Sequence, residues 1–299
     1  MSNPKTETVP KGLPTRLMKL LISGAFFLIS SVVGMLRKLA GIPREGECII
    51  LYYHAIAPEH RARFSRQMDH LLHYAKPARI DGNTPLERGV RYAAVTFDDG
   101  YESVAAQALP ELEARGIPAT IFVASELAGK KPGWQGYPEQ CMSFDQLRSL
   151  PANLITMGSH TKSHPFLPDI SENEARQELS ESKARLEQER GRPITLFSFP
   201  YGGFNDRLVG WCREAGYEHV FTTLPQVARL ERTEFTIGRF VAEPTDWAIE
   251  FHLKLMGAYR WLPFAFALKR KCREMFGRGH STPKAGNNSL ARNEKDSAG

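Results

Sequence analysis

The chain has 299 residues, of which 42% are hydrophobic and 24% are charged, so it can bury the core of one barrel-sized domain or of two smaller ones. Its formal net charge of +6 lies at the two ends: residues 1–44 carry +6, residues 269–299 carry +5, and the body between them carries −5. A nucleic-acid-binding protein carries its positive charge on the folded surface, so this distribution argues against nucleic acid as a partner. The four cysteines form no Cys-x-x-Cys pair, which argues against a zinc knuckle or a redox motif.

The N-terminal region contains an apolar run, LLISGAFFLISSVVGML, that follows Lys19 and ends at Leu36. Its 17 uncharged residues are at the lower limit for crossing a bilayer, and the two apolar residues before Lys19 can extend them. We therefore expect residues 1–44 to be a tail with a retained membrane anchor at 17–36, with a cleaved signal or an interfacial helix as the alternatives. Basic residues flank both sides, so the sequence predicts anchoring in a membrane of the bacterial inner-membrane type without an orientation.

Beyond this tail, apolar runs typical of strands alternate with helical segments. The predicted strands are 48–56, 91–97, 119–124, 152–160, 194–202, 218–223 and 235–241. The predicted helices are 63–75, 102–115, 172–190 and 205–215. The helix at 172–190 carries the clearest signals, since Ser171 and Glu174 form a capping-box pattern and Gly191 follows its end. The alternation predicts an α/β fold with a parallel sheet covered by helices, and this number of strands favours a barrel over an open sheet.

The predicted catalytic domain covers residues 45–245. Within it, residues 129–142 form a long loop rich in Gly, Pro and aromatic residues, and Trp134 in this loop is a candidate for stacking on a sugar or for packing. The segment 246–277 combines aromatic residues with a basic cluster, which fits either a membrane surface or a terminal helix packed on the barrel. The tail 278–299 is expected to be disordered because it is rich in Gly, Ser, Asn and Lys.

Two motifs stand at predicted strand ends. In VTFDDGYES, Asp98 and Asp99 precede a glycine, a pattern that fits a simple turn or a metal site. In SHTKSH, His160 and His164 are four residues apart, and the proline after them disfavours a helix, so the pair is expected on a loop. The carboxyl ends of parallel strands converge on one face of a barrel, where two imidazoles and one carboxylate make a three-ligand metal site with an open position for water. The second aspartate is then available to accept a proton.

Together with FPYG, these motifs resemble those of the polysaccharide deacetylase superfamily (carbohydrate esterase family four) over roughly residues 48–241. The resemblance implies a distorted (β/α)7-type barrel and the hydrolysis of N-acetyl groups on N-acetylhexosamine units of a polysaccharide or lipid-linked glycan. It implies that Asp98 is the general base and that Asp99, His160 and His164 bind a divalent transition metal, Zn²⁺ above all, with Co²⁺ or Ni²⁺ as alternatives. It also implies that Pro200 and Tyr201 contact the substrate and that the Tyr201 backbone N–H stabilises the oxyanion.

The chain departs from the family pattern in two places. Many members carry an arginine just before the FPYG position that orients the base, whereas this chain has Ser198 and Phe199 in that stretch. In this it resembles the subgroup that acts on poly-N-acetylglucosamine exopolysaccharide, where the arginine is likewise missing. Arg239 is a candidate for supplying that charge, with a plain surface arginine as the alternative. The late Leu-x-His motif that supplies the general acid is also not evident. His252 fits it weakly, and His54, at the end of the first predicted strand, is the favoured candidate because the same subgroup carries a Tyr-His there.

Other functions fit the same barrel. The chain can instead be an O-acetyl esterase or a small-molecule amidohydrolase, or a glycan-binding protein that retains the site without turnover. An intact base and three intact ligands favour an enzyme, and metal content together with acetate release separates these alternatives.

Overall fold

The structure is a computed structural model that describes residues 12–42, 45–82, 86–133, 139–230 and 233–276. Trp134 and the tail expected to be disordered lie outside the described residues. The chain forms two compact units, Met1–Leu262 and Pro263–Gly299, and the first contains every strand described below. The helix at Ala248–Leu255 belongs to this first unit, although the sequence predicts a catalytic domain ending at 245; the domain boundaries themselves stay a prediction.

Nine strands form one sheet in which every paired neighbour runs parallel. Their bounds are β1 Glu47–Tyr53, β2 Lys76–Pro77, β3 Arg91–Phe97, β4 Ala119–Val123, β5 Ile155–Ser159, β6 Leu196–Ser198, β7 His219–Phe221, β8 Thr236–Ile237 and β9 Phe240–Val241. The order across the sheet is β8-β7-β6-β5-β4-β3-β1-β9, and β2 pairs with β3 beside this path. The parallel α/β barrel predicted from the sequence is thereby confirmed.

The two ends of this sheet are joined by a very short stretch of chain. β8 pairs with β7 at one end and β9 pairs with β1 at the other, yet only Gly238 and Arg239 separate them in sequence. A Cβ on Gly238 would lie 2.3 Å from the carbonyl oxygen of Leu224, so the chain passes too close to its neighbour for any side chain at this point. The single strand predicted at 235–241 is therefore two short strands that bring the edges of the barrel together.

Helices connect and follow the strands along the chain. Their bounds are α1 Leu13–Leu39, α2 Arg61–Tyr74, α3 Leu109–Glu113, α4 Phe144–Ser149, α5 Glu172–Arg190, α6 Asp206–Glu214, α7 Ala248–Leu255 and α8 Leu262–Phe276. The start and end of α5 agree with the sequence signals, since Ser171 and Glu174 form both capping-box hydrogen bonds and Gly191 adopts a left-handed φ of 67°. α4 also has a capping box, formed by Ser143 and Gln146, and was not predicted.

The interior of the barrel is filled by alternate residues of the strands. Ile50, Ala94, Phe122, Leu196 and Phe221 belong to one buried cluster, whereas the intervening residues pack outward against the helices. β5 contributes Gly158 at this level, because a Cβ there would lie 2.5 Å from the ring of Phe122. Bulky side chains thus close the middle of the barrel, and its carboxyl end is left for polar groups.

α1 is the one helix in the described part of the chain that is long and apolar enough to cross a membrane, by length and composition. It has 27 residues, which extends the predicted anchor in both directions, and most of its side chains are exposed. α8 belongs for the most part to the second unit, and Phe264 and Leu268 on it are exposed.

Candidate metal centre and active site

The strand alternation directs five polar positions to the carboxyl end of the barrel. The interior-facing register continues from Ala94 to Thr96 on β3 and Asp98 just beyond it, and from Leu196 to Ser198 on β6. It leads likewise from Gly158 to His160 just beyond β5, and from Ile50, four residues on, to His54 just beyond β1. Of these five residues, His54 is half-buried and the others are buried. Each of the four strands therefore delivers at least one polar group to the same end of the barrel.

Asp99, His160 and His164 come together as a buried cluster whose ligand atoms all lie within 4.8 Å of one another. Oδ1 of Asp99 is 3.2 Å from Nε2 of His164 and 3.5 Å from Nε2 of His160. Two ligands that bind one tetrahedral zinc ion at about 2.1 Å lie about 3.4 Å apart, so these separations fit a shared metal ion. The cluster is the only group of three such ligands in the part of the chain that the structure describes.

The protonation of the cluster also fits a metal ion. Nδ1 of His160 lies 2.7 Å from the Ser198 carbonyl oxygen, which can only accept, so Nδ1 carries the proton and Nε2 presents a lone pair. Burial lowers the pKa of His160 to about 4, so the imidazole is neutral near pH 7. Burial alone would raise the pKa of Asp99, but the neighbouring histidines His164, His54 and His160 outweigh it and hold that pKa well below its usual range. Its buried Oδ1 makes no hydrogen bond among the described residues, as expected of an atom that faces a cation.

Two residues of this cluster have a strained backbone conformation. Asp99 and His164 both have a positive φ, at 68° and 64°, a conformation that residues other than glycine rarely adopt. Glu178 on α5 holds the SHTKSH loop from outside, since its Oε2 accepts the backbone N–H groups of Lys162 and Ser163, each at 2.8 Å. The loop position predicted for the histidine pair agrees with this geometry.

Asp98 faces away from the cluster and is paired with Arg239. Two parallel hydrogen bonds join them, Nη1 to Oδ1 at 2.7 Å and Nη2 to Oδ2 at 2.8 Å. The remaining donors of the guanidinium reach Thr96 Oγ1 at 3.1 Å, Ser198 Oγ at 2.7 Å and the Thr222 carbonyl oxygen at 3.4 Å. Arg239 is fully buried, so it is not a surface arginine. Burial would raise the pKa of Asp98, but the Arg239 charge outweighs it, so the pKa lies below its usual range and Asp98 is ionised.

His54 lies close enough to both aspartates to lower the pKa of each. Its ring packs edge-on against Tyr52, with 5.8 Å between the ring centroids. His54 also acts on Glu243: burial raises the pKa of Glu243, and His54 acts to lower it. The structure therefore brings His54 into the site.

The other predicted residues divide between the site and elsewhere. Tyr201 lies on a short turn after β6 with a φ of 56°, and its ring packs against His164 with 4.6 Å between the centroids. It is 40% exposed, whereas Pro200 beside it is buried. His252 lies on α7, where its Nδ1 is 3.0 Å from Nε2 of His70, and its described contacts are with a different group of aromatic residues.

Sequence reasoning did not identify Thr96, Ser198 or Glu243 as parts of this arrangement. Thr96 and Ser198 are polar residues at interior positions of otherwise apolar strands, and this placement was a usable signal. Glu243 carried no such signal, because its position depends on how the chain leaves β9.

Comparison with known proteins finds similarity to polysaccharide deacetylases. Residues 86–220 match the family model described as "Polysaccharide deacetylase". YxkH of Bacillus subtilis is 26% identical over 150 residues, which are 50% of this chain and 51% of YxkH. The peptidoglycan-N-acetylmuramic acid deacetylase PdaC of the same organism is 34% identical over 116 residues, 38% of this chain and 22% of PdaC. The matches thus span about half the length of YxkH and less of PdaC.

Among solved structures, IcaB from Ammonifex degensii is similar with a TM-score of 0.62 and 25% sequence identity. The similarity covers 71% of this chain and 98% of the IcaB chain. The matched segment contains Asp98, Asp99, His160, His164 and Tyr201. His54 and Arg239 lie outside it.

Proposed function

We propose, from the premise that residues 86–220 form a polysaccharide deacetylase domain, that this chain is a metal-dependent hydrolase of N-acetyl groups on N-acetylhexosamine units. The substrate would be a polysaccharide or a lipid-linked glycan. The observation that supports this most directly is the divided environment of the two adjacent aspartates. Asp99 faces two histidines at metal-ligand separations, while Asp98 faces an arginine and stays ionised without joining the cluster.

Asp99, His160 and His164 would hold the metal ion, with zinc favoured by a donor set of two imidazoles and one carboxylate. When bound, such an ion lowers the pKa of a coordinated water and polarises an acetyl carbonyl. Only three protein ligands converge among the described residues, which leaves room for water and substrate. The Ser198 carbonyl fixes the ring of His160 from behind, and this contact would keep the ligand oriented in the apo and metal-bound states alike.

Asp98 would act as the general base. As an ionised carboxylate it accepts the proton that the attacking water loses when the new C–O bond forms at the acetyl carbon. Its two hydrogen bonds to Arg239 engage one lone pair on each oxygen, so each oxygen retains a second lone pair for that proton. Arg239 acts through Asp98 as a positioning residue, and it takes the place of the arginine that the family carries before FPYG.

His54 would donate the proton that the departing amine needs when the amide C–N bond breaks, so that acetate and a free amine leave the site. Before this transfer, the Glu243 carboxyl group can stabilise the protonated imidazole of His54. The Tyr201 N–H would donate to the oxyanion of the tetrahedral intermediate, and the exposed Tyr201 ring would line the sugar. Pro200, being buried, would shape this turn, and Trp134 remains a proposed sugar contact on the 129–142 loop.

The chain would be held at a membrane of the bacterial inner-membrane type by α1. The support is the length of this helix, its exposed apolar side chains and the charge of +6 on residues 1–44.

The test uses the full chain purified in detergent. Bound metal is measured by elemental analysis, and acetate release is followed from N-acetylglucosamine oligomers and from an O-acetylated sugar. Asp98→Asn should retain the metal and lose acetate release, whereas His160→Ala should lose both. Release from the O-acetylated sugar alone would show an esterase, and bound metal without any release would indicate a binding protein.

A further inference from the structure

α1 has one face that packs against the rest of the first unit. The residues on this face recur every three or four positions, as Arg16, Leu20, Ser23, Phe27 and Ser30, which is the spacing of a single helical stripe. Ser23 is fully buried and the other four are half-buried. Beyond residue 30, every side chain of this helix is exposed. These five residues are called the docking row below.

Polar contacts fix the docking row at three levels. At the N-terminal end, Nε and Nη2 of Arg16 donate to Oε2 of Glu250 at 2.8 and 2.6 Å, and the guanidinium also lies 4.3 Å from the centre of the Trp247 ring. In the middle, the indole N–H of Trp261 donates to Ser23 Oγ at 2.9 Å. Contacts this specific along about 21 Å of helix describe a docked element rather than a tether.

At the C-terminal end of the docking row, the contacts come from Arg260. Its Nη2 donates to Ser30 Oγ at 3.4 Å, and its guanidinium lies 5.2 Å from the centre of the Phe26 ring. Two serines within an apolar helix would each leave a hydroxyl group in hydrocarbon if the helix were surrounded by lipid. Here both hydroxyl groups accept hydrogen bonds from the first unit.

The opposite face of α1 is apolar and exposed. At about 100° per residue, its exposed apolar side chains fall within an arc of about 160° centred opposite the docking row. They are Leu17, Met18, Leu21, Ile22, Leu28, Ile29, Val32, Val33, Met35 and Leu36. Leu21 is 74% exposed and Leu28 65%, so this face has no cover within the described residues. A continuous apolar surface of this length indicates a binding surface for lipid or protein.

A helix docked in this way cannot also span a bilayer. Spanning requires about 20 residues of helix inside the hydrocarbon, but only residues 31–39 extend beyond the docking contacts, a length of about 13 Å. Inserting the rest would either carry the polar surface of the first unit into lipid or break the pairing of Arg16 with Glu250, whose side chain is only 11% exposed.

We propose that α1 lies flat in the interface of an anionic bilayer, with its docking row on the first unit and its apolar face in the lipid. The distribution of charge selects anionic lipid as the occupant. Residues 1–44 carry +6 while residues 45–268 carry −5, so a negative surface attracts the end that holds α1 and repels the body. The inference deepens the proposed membrane attachment and rests on it, but it does not depend on the deacetylation chemistry.

This arrangement also orients the active site. Arg16 contacts Thr245, Trp247 and Glu250, which follow the carboxyl end of β9. Gly257, two residues beyond the C-terminal end of α7, lies beside Ile49 in the first half of β1. α1 therefore follows the barrel from its catalytic end to its opposite end. With α1 flat, the catalytic opening faces along the membrane surface, where a glycan held near the lipid headgroups would approach it.

Label depth on the full chain tests the proposal. In a Cys272→Ser background, where the remaining cysteines are buried, Leu21→Cys and Leu36→Cys each receive a nitroxide label, and their depths are measured in vesicles of phosphatidylglycerol and phosphatidylcholine. A flat helix places both labels at the same shallow depth, about 5–10 Å below the headgroups. A spanning helix separates the two depths by about 22 Å and overturns the proposal. Labels that remain in water overturn it as well, and sedimentation then shows whether a second copy covers the apolar face.

A matched pair of variants separates lipid contact from charge. Leu28→Asp lies on the apolar face and should weaken vesicle binding roughly tenfold or more, since a buried leucine contributes about that much. Ser31→Asp introduces the same charge at an exposed position outside the apolar arc and should have a much smaller effect. Equal effects would show simple repulsion and overturn the proposal. Acetate release from soluble oligomers, measured in parallel, should be unchanged, so that a failure of the deacetylation chemistry is recognised separately.

Discussion

Replacing Arg239 by methionine removes the only described cation that bonds to Asp98 and leaves a buried carboxylate without its partner. The side chain of Arg239 is fully buried and that of Asp98 is 4% exposed, so neither can turn to water. Breaking such a pair from one side costs about 3–5 kcal/mol of unfolding free energy. Removing both charges, as in Arg239→Met with Asp98→Asn, should cost less than the sum of the two single changes, by about 2–3 kcal/mol.

The pH dependence of this loss follows from the pKa of Asp98. In the native chain that pKa lies below its unfolded value, so the pair stabilises the fold fully above about pH 4 and loses this contribution as pH falls through the folded pKa. In Arg239→Met, the effect of burial on Asp98 is no longer opposed by the arginine, so the pKa of Asp98 in the folded state rises. The buried carboxylate then lowers the free energy of unfolding increasingly as pH rises above about 4. The stability difference between native and variant chains should therefore be large at pH 7 and small near pH 3.5.

Urea unfolding is measured at pH 7 and near pH 3.5 for the native chain, Arg239→Met, Asp98→Asn and the double variant. It gives the coupling energy of the pair and the change in the stability difference with pH. In parallel, the acid limb of the acetate-release profile should move to higher pH in Arg239→Lys, because the lysine retains the charge but not the paired hydrogen bonds. A coupling energy below about 0.5 kcal/mol, or a stability difference that is the same at both pH values, would refute the reasoning.

Four further outcomes are expected. Gly238→Ala should lose both stability and acetate release, because its Cβ would lie 2.3 Å from the Leu224 carbonyl oxygen, and a fully active variant would contradict the account of barrel closure. His164→Ala should purify without bound metal in elemental analysis, and a full complement would exclude it as a ligand. His54→Gln should retain metal while acetate release falls by about 10²–10⁴, and an unchanged rate would remove His54 as the acid. Ser171→Ala should cost about 1 kcal/mol in urea unfolding through loss of its capping hydrogen bond while the native rate is retained, so a large loss of activity would be unexpected.

The Asp99–His160–His164 cluster could be predicted from the sequence because its members lie within a few residues of strand ends. Asp99 is the second residue after β3 and His160 is the first after β5, and the parallel strands bring both to the same end of the barrel. The partner of Asp98 could only be suspected, because Arg239 reaches it across 141 residues of sequence. That contact requires the chain to bridge the edges of the sheet at Gly238, whereas the strand pattern around it reads as one continuous strand.

The same reasoning explains why the sequence predicted α1 only as a length of apolar residues and not as a docked helix. Hydropathy counts Ser23 and Ser30 as tolerable interruptions, although their spacing from Arg16 marks a stripe that needs a polar partner. Glu250 and Trp261 provide those partners more than 230 residues later, on the segment that the sequence sets apart from the catalytic domain. The contacts of α1, like those of Arg239, join residues that are far apart in the sequence, so neither set could be read from a local pattern. Deleting α1 should accordingly expose the Glu250 carboxylate as well as abolish membrane binding, so a truncated chain would be a poor substitute for the full one in any assay of stability.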